Sequence, residues 1–441
     1  MSSSGRARAV PGAPARPAAQ GLWAAAAATP PFEAPALEGE REVDVAIVGG
    51  GFTGLSIALH LAERGVATAL LEAHEIGHGA SGRNGGQVNP GIKLDEKALA
   101  ARFGEAGRAL HRFGQEAPDF LGALIARKAL DCGWRQPGLF RLAHNATAHA
   151  TLKQAAKTLK REGVAVEELG PDDVARRVGT TRYPGGLYDP RGASVQPLDL
   201  TREMARAARE AGAAIHPHSP ATALARARGL WRLDTAHGRL WARKVAVATN
   251  AYSDALVPGL ARSLLPVNSF QIATAPLKAG HGHILAGGET VYDSRRLVLY
   301  FRRSPDGRLV IGGRASFSSA QAQSPHAPDY AVLEQVLHGV FPDLAGLPIE
   351  QRWTGLVGIT FDYLPHYHRL ADELHVLAGF NGRGVALSHR LGAWLAARLA
   401  GTPEEHSMPE TPLRPFPLHR LRAPMLNLGM RWNRFLDILG Y

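Results

Sequence analysis

The residues whose types and spacing bear most directly on chemistry are Gly49-Gly50-Gly51-Phe52-Thr53-Gly54, a G-x-G-x-x-G hexad. In such a turn Gly49 permits the tight bend, Gly51 lets the backbone approach a diphosphate, and Gly54 lets a helix pack closely on a strand. Phe52 and Thr53 would open that helix, whose free N–H groups and positive dipole end favour phosphate. Glu72, followed by Ala73, comes 18 residues after Gly54, where an acid can accept ribose hydroxyls. A second glycine-rich stretch, Gly79-Ala80-Ser81-Gly82-Arg83-Asn84-Gly85-Gly86-Gln87, suits close approach to a large flat ligand and its phosphates. Within it Ser81 and Arg83 are candidate donors to a diphosphate and Asn84 to a ring. The same letters also fit a ligand-free glycine turn followed by a plain loop. NAD and FAD share the hexad, so the hexad alone does not choose between them.

Such residues work only if elements position them. Val43–Val48 is an apolar run that predicts a buried parallel strand ending at the hexad. Residues 53–64 predict a helix stopped by Gly65, and residues 66–72 a second strand. Downstream, helices are expected at 95–130, 150–163, 171–178, 198–212, 328–340 and 384–400. Strands are expected at 138–144, 213–216, 221–226, 244–249, 266–276, 290–303, 308–313 and 374–379, with Asp306-Gly307 as a hairpin turn. The predicted class is α/β (α+β overall): a Rossmann-like dinucleotide domain interleaved with a mostly antiparallel sheet. The expected partition is an N-terminal arm over 1–40, a discontinuous dinucleotide domain over 41–92, 195–255 and 355–405, a helical and substrate-binding domain over 93–194 and 256–354, and a C-terminal tail over 406–441. Residues 1–20 read as a disordered arm and 425–440 as an amphipathic helix docked on the fold.

Composition narrows the chemistry. With 441 residues the chain is too long for one ordinary core, so two domains are expected. Its single cysteine, Cys132, excludes an intrachain disulfide, a dithiol centre and a cysteine-ligated cluster, and reads as structural filler. No clustered metal-ligand spacing occurs; His366, His368 and His375 read as surface or satisfied histidines. The net charge of +11 comes from scattered arginines without an aromatic-rich basic motif, so a nucleic-acid partner is not expected. No apolar run is long enough to span a membrane, and the expected location is cytoplasmic.

The stretch Asp44 to Gln87, with its strand, Gly49-Gly50-Gly51-Phe52-Thr53-Gly54-Leu55-Ser56, Leu71-Glu72-Ala73 and the second glycine loop, resembles the D-amino-acid-oxidase-like (DAO) family of FAD enzymes. Within it the resemblance is to bacterial gamma-glutamylputrescine-oxidase-like members. Further matches are Leu22-Trp23 with Pro30-Pro31, Val245 to Tyr252, Pro305 to Arg314, Trp353 to Pro365, and Gly379 to Leu387.

The resemblance implies FAD as cofactor. It assigns Gly49, Gly51, Phe52, Thr53, Gly54, Glu72, Ala73, Ser81, Arg83, Asn84, Gly85, Gly86 and Gln87 to its grip. Ala221 is implied beside adenine, Thr249 at the flavin-side turn, and Gly382, Arg383, Gly384 and Val385 at the flavin pyrimidine, with Arg383 standing where the family often has His. The flavin is expected to be held noncovalently, since no C-terminal-half cysteine exists and Arg83 stands where relatives carry an attachment histidine. The implied reaction is oxidation of a small-molecule amine or amino acid, with electrons leaving to oxygen or to an electron carrier. Alpha-amino-acid members carry an arginine shortly before the T-x-D-x-x-P stretch, where this chain has Val357; this favours an amine. Gln271, Tyr300 and Trp353 are the candidates to line the substrate pocket, core packing being the alternative for each. Arg302 and Arg352 are possible carboxylate partners but read as surface residues.

Overall fold

The computed structural model describes residues 21–317, 327–402 and 408–416, with 421, 424, 428 and 429 as isolated positions. The disordered arm expected over 1–20 and the helix expected over 425–440 lie outside the described residues, apart from 428 and 429.

Two large sheets organise the chain. At the centre of the first lies Gly39–Val48, flanked in parallel by Gly238–Val247 on one side and Thr68–Leu71 on the other. Leu374–Ala378 and Ala214–His216 extend the parallel set outward. Ala223–Ala227 and Leu230–Asp234 form an antiparallel meander onto Gly238–Val247, and His366–Ala371 folds back antiparallel on Leu374–Ala378. The parallel strands are apolar on both faces: helices cover one, and the meander residues Trp231, Leu233 and Leu240 with Val257, Leu260 and Leu264 cover the other. Phe52–Ala62 is buried from Phe52 to Leu61, so it is covered all round rather than on one stripe. It is sandwiched between the sheet and the closing helix Gly384–Ala400. A Cβ added at Gly392 would stand 2.6 Å from Ser56 Cβ, and the Ser56 hydroxyl donates to the His389 carbonyl at 2.6 Å.

The second sheet has eight strands in the order Ile349–Ile359, Leu265–Pro276, Arg308–Phe317, Tyr300–Arg303, Thr290–Asp293, Leu139–Leu142, Gly186–Asp189 and Glu167–Leu169. All its pairs are antiparallel except Thr290–Asp293 with Leu139–Leu142. One face carries Phe140, Phe270, Ile272, Val291, Phe301 and Ile311, which pack with Tyr330, Leu333 and Leu337 of the helix Pro328–Val340 into a core of their own. Side chains alternate across a strand, so their neighbours point the other way, toward the glycine loops.

The chain passes between the sheets repeatedly: residues 39–71 build the first, 139–189 the second, 214–247 the first, 265–359 the second and 366–378 the first again. Two boundaries differ from expectation. Ile349–Ile359 runs as one continuous edge strand of the second sheet, straight through residue 355. Residues 21–38 are no free arm: Leu22, Trp23 and Leu37 are buried, and Trp23 meets Trp353 edge-on at 5.8 Å. The two indoles form a small apolar cluster with Leu198, Ala273 and Val310, an association between residues too distant for sequence periodicity to reveal. Cys132 is core filler, its thiol pushed up to about 12, first by burial and then by nearby acids. Among the described residues no helix is long and apolar enough to cross a membrane.

Candidate dinucleotide and substrate site

The hexad lies where the central strand gives way to the buried helix. Gly49 has φ +110°, a conformation closed to most side chains, and its N–H donates to the Leu71 carbonyl at 2.9 Å. A Cβ on Gly54 would fall 1.9 Å from the Gly49 carbonyl oxygen, so helix and strand close on each other only with glycine there. Glu72 faces this turn. One of its carboxylate oxygens accepts the Gly50 N–H at 2.6 Å and the other the His74 N–H at 2.9 Å. The Ser219 N–H donates to the Glu72 carbonyl, which brings the segment leading to Ala221 alongside the acid. Thr249 follows directly after Ala248, whose N–H donates to the Val48 carbonyl, and its hydroxyl is bonded to Ser253 at 2.7 Å.

The second glycine loop folds over the hexad. The Ser81 hydroxyl accepts the Phe52 N–H at 2.9 Å, and a Cβ on Gly51 would stand 2.8 Å from that oxygen. Arg83 is buried with Nε donating to the His78 carbonyl, while one of its terminal nitrogens has no partner among the described residues. Desolvation lowers the Arg83 pKa, so its charge sits in a poorly compensated place. Asn84 differs from the free ring donor expected: its amide nitrogen donates to the Ala80 and Ser81 carbonyls and its oxygen accepts the Gly86 N–H, so the side chain shapes the loop. Gln87 donates to the Val291 and Phe301 carbonyls at 3.1 Å each and thereby pins the loop to the second sheet.

The three pocket candidates fall on a single cross-strand row. Register places Trp353, Gln271, Gly312, Tyr300, Tyr292 and Arg141 opposite one another on six successive strands. Cross-strand partners share a face, here the one turned to the glycine loops. Trp353 Nε1 and the Gln271 amide both donate to the Arg83 carbonyl, at 3.0 and 2.5 Å. Both are buried, so they hold the loop from behind. Tyr300 packs its ring against Gly85 and Gly312; a Cβ would approach the ring within 2.8 Å at the first and 2.2 Å at the second. Its hydroxyl bonds Ser269 at 2.9 Å and is pushed up to about 12 by burial.

Arg302 corrects the reading of a surface residue. It is buried, stacks over Trp23 at 4.9 Å, and donates to the Gly85 and Val195 carbonyls at 2.8 and 2.7 Å. Burial brings its pKa down to about 10. Arg352 pairs with Glu334 at 2.6 Å. Each of the three histidines has a partner: His366 meets Asp362, His368 the Thr411 carbonyl and His375 Nδ1 the Tyr367 hydroxyl, with His375 Nε2 facing Glu373 at 3.5 Å.

The turn before the closing helix completes the enclosure. Asn381, at φ +53°, accepts the Thr360 N–H through its side chain. Gly382 is also left-handed, and a Cβ there would lie 4.0 Å from Val357. Arg383 donates to the Pro90 carbonyl at 2.6 Å and to the Tyr292 hydroxyl at 3.1 Å, ahead of Gly384 and Val385 at the helix start. A glycine cradle that a Cβ would fill, an acid at its edge and an unpartnered buried guanidinium nitrogen together fit a diphosphate dinucleotide.

A model of the FAD dependent oxidoreductase family, DAO, matches residues 44–398. The chain belongs to this family. It is 34% identical over 403 residues to the gamma-glutamylputrescine oxidoreductase of Escherichia coli K12, covering 90% of this chain and 93% of that one. A probable oxidoreductase, OrdL, of Rhizobium meliloti is 31% identical over 408 residues, 91% and 94% of the two chains. Among solved structures, glycine oxidase from Geobacillus kaustophilus superposes with a TM-score of 0.72 at 22% identity, covering 83% of this chain and 96% of that one. FAD is therefore the cofactor of this DAO-family chain, which is an oxidoreductase of the kind that acts on amines and amino acids.

Lys93, Arg141 and Tyr292 were absent from the sequence-based candidates. For Arg141 and Tyr292 the signal is the sheet register, which one sequence does not display; Lys93 lies in the loop after Gln87–Val88 and carries no motif.

Proposed function

We propose that the chain oxidises a primary or secondary amine of the gamma-glutamylputrescine kind, with oxygen as the acceptor. The observation that carries the reading is the likeness to a gamma-glutamylputrescine oxidoreductase over 90% of this chain and 93% of that one, joined to a dinucleotide cradle closed by a row of polar side chains from the second sheet. Val357 supports an amine over a simple alpha-amino acid, because an apolar side chain stands where the family resemblance reserves a carboxylate-binding arginine.

Bound FAD supplies the two-electron acceptor chemistry. The chain's own part is to hold the amine carbon in line, exclude water and fix the loop through Arg302, Gln271 and Trp353. In the net reaction the substrate loses two electrons and two protons from its C–N unit, and oxygen takes both pairs to become hydrogen peroxide. Water then adds to the imine, and the C–N bond breaks to give an aldehyde and ammonia or a smaller amine. We read the flavin as noncovalently held and the setting as cytoplasmic; acid precipitation that leaves the yellow colour on the pellet would overturn the former.

The test is aerobic mixing of holoenzyme with gamma-glutamylputrescine, putrescine, sarcosine, glycine and D-alanine, following flavin bleaching and peroxide. Turnover of glycine and D-alanine without the amines would reverse the substrate assignment. A second reading, a dehydrogenase delivering electrons to a quinone or partner protein, is favoured by one feature. Phe361 is 78% and Tyr363 53% exposed on the turn that Asn381 ties to the closing helix, a surface suited to an electron carrier. Bleaching by substrate without steady peroxide under air would select it.

A further inference from the structure

We propose that Lys93, Arg141 and Arg383 gather around the Tyr292 hydroxyl as a site for a carboxylate carried by the substrate, remote from the C–N bond that is oxidised. This rests on the amine-oxidation reading above and names the residues that would take the substrate's remote carboxylate, which that reading leaves unassigned.

Arg141 and Arg383 converge on Tyr292 without an anion among the described residues, and the charge of Lys93 is felt at the same hydroxyl. Arg383 donates to the Tyr292 hydroxyl at 3.1 Å and its guanidinium lies 5.3 Å from that ring's centre. Arg141, the cross-strand partner of Tyr292, lies 6.0 Å from the same centre, and its buried Nε has no hydrogen-bond partner. Among the described residues no carboxylate comes within ion-pair distance of Lys93, Arg141 or Arg383. Elsewhere arginines of this chain find carboxylates readily, as Arg127, Arg206 and Arg308 do.

The local field agrees with that geometry. Burial pushes the Tyr292 hydroxyl up, yet Arg141, Arg383 and Lys93 together outweigh it and leave the group below its ordinary value. Lys93, an exposed side chain, is lowered first by desolvation and then by Arg383. Uncompensated cations of this kind are costly unless an anion arrives.

Position separates Tyr292 and Arg141 from the diphosphate cradle, while Arg383, which the family resemblance assigns to the flavin pyrimidine, borders both. Tyr292 and Arg141 belong to the second sheet and continue the row that runs from Trp353 through Gln271 and Tyr300. The hexad and Ser81 belong to the first-sheet turn. A ligand lying along the row would have one end beside Gly85, against Tyr300, and the other among the cations. An arginine beside a tyrosine hydroxyl and a lysine offers a carboxylate charge-assisted donors on several sides.

The test uses holoenzyme and two variants, Arg141→Met and Lys93→Met, the second on an accessible side chain that the core does not need. Glutarate, which has no oxidisable amine, is titrated while the flavin absorbance is followed; inorganic phosphate is titrated in parallel. The expected result is a glutarate dissociation constant raised about tenfold or more in each variant. The selectivity for gamma-glutamylputrescine over putrescine should fall by a similar factor, and Lys93→Arg should restore both. Unchanged glutarate binding and selectivity would overturn the proposal. So would phosphate binding as tightly as glutarate with the same response to the variants, since the site would then take anions in general. If wild-type enzyme oxidises neither amine, the functional reading fails, and the glutarate titration still decides the carboxylate site.

Discussion

At the scale of single residues, the Glu72 carboxylate braces the hexad by accepting the Gly50 and His74 N–H groups. We propose a second duty for it, accepting the ribose hydroxyls of bound FAD. Glu72→Gln keeps an acceptor oxygen and the shape but removes the charge. Charged acceptors exceed neutral ones by about 1 kcal/mol, so FAD titrated into apoprotein should bind roughly five- to tenfold more weakly, read by quenching of flavin fluorescence. An unchanged dissociation constant would mean that the acid serves the turn alone. The tight turn at Gly49, the close helix–strand approach at Gly54 and an acid facing that turn were legible in the sequence because they follow from local backbone geometry and fixed spacing. Arg302 was not. Arginine is exposed by default, and its burial here depends on carbonyls of Gly85 and Val195, both more than a hundred positions away in the chain.

At the scale of elements, the Arg83 carbonyl is the joint between the glycine loop and the second sheet. Two donors from neighbouring strands share it. Trp353→Phe or Gln271→Leu alone leaves it one partner and should cost about 1 kcal/mol beyond any change in packing. The double variant strands a buried carbonyl, so its loss should exceed the sum of the singles by about 1 kcal/mol or more, measured as a double-mutant cycle in urea unfolding. Simple additivity would show the two bonds to be independent. A second element-level tie is Glu63, at the end of the helix Phe52–Ala62, which meets Arg127 and Lys128, each at 2.5 Å. Burial pushes its carboxyl up, but the bonds from Arg127 and Lys128 outweigh this and bring it down to about 2. A depressed carboxylate stabilises the fold above its ordinary pKa of 4.5 and ceases to do so as pH falls through about 2. Glu63→Gln should therefore cost less than about 1 kcal/mol at pH 7, the pair being partly solvated, and the gap should narrow in acid. The elements themselves were largely legible: the helix after the hexad, the hairpin at Asp306-Gly307 and the closing helix follow from periodicity and turn residues. The row from Trp353 to Arg141 was not, because it is a property of register across six strands and of two bulges in Leu265–Pro276, which no single segment encodes.

At the scale of the whole molecule, the two sheets are built by a chain that leaves the first, returns, leaves and returns once more. The central strand Gly39–Val48 takes its neighbour, Gly238–Val247, from nearly two hundred residues downstream. A polypeptide ending near residue 255 would own most of the parallel sheet but lack the closing helix that covers Phe52–Ala62. The remainder would own five strands of the antiparallel sheet and be missing Leu139–Leu142 and its two outer companions. Neither piece made alone should therefore be soluble or yellow. Co-expressed, the two should find each other, retain flavin and melt as one, because the information for each layer is deposited in both.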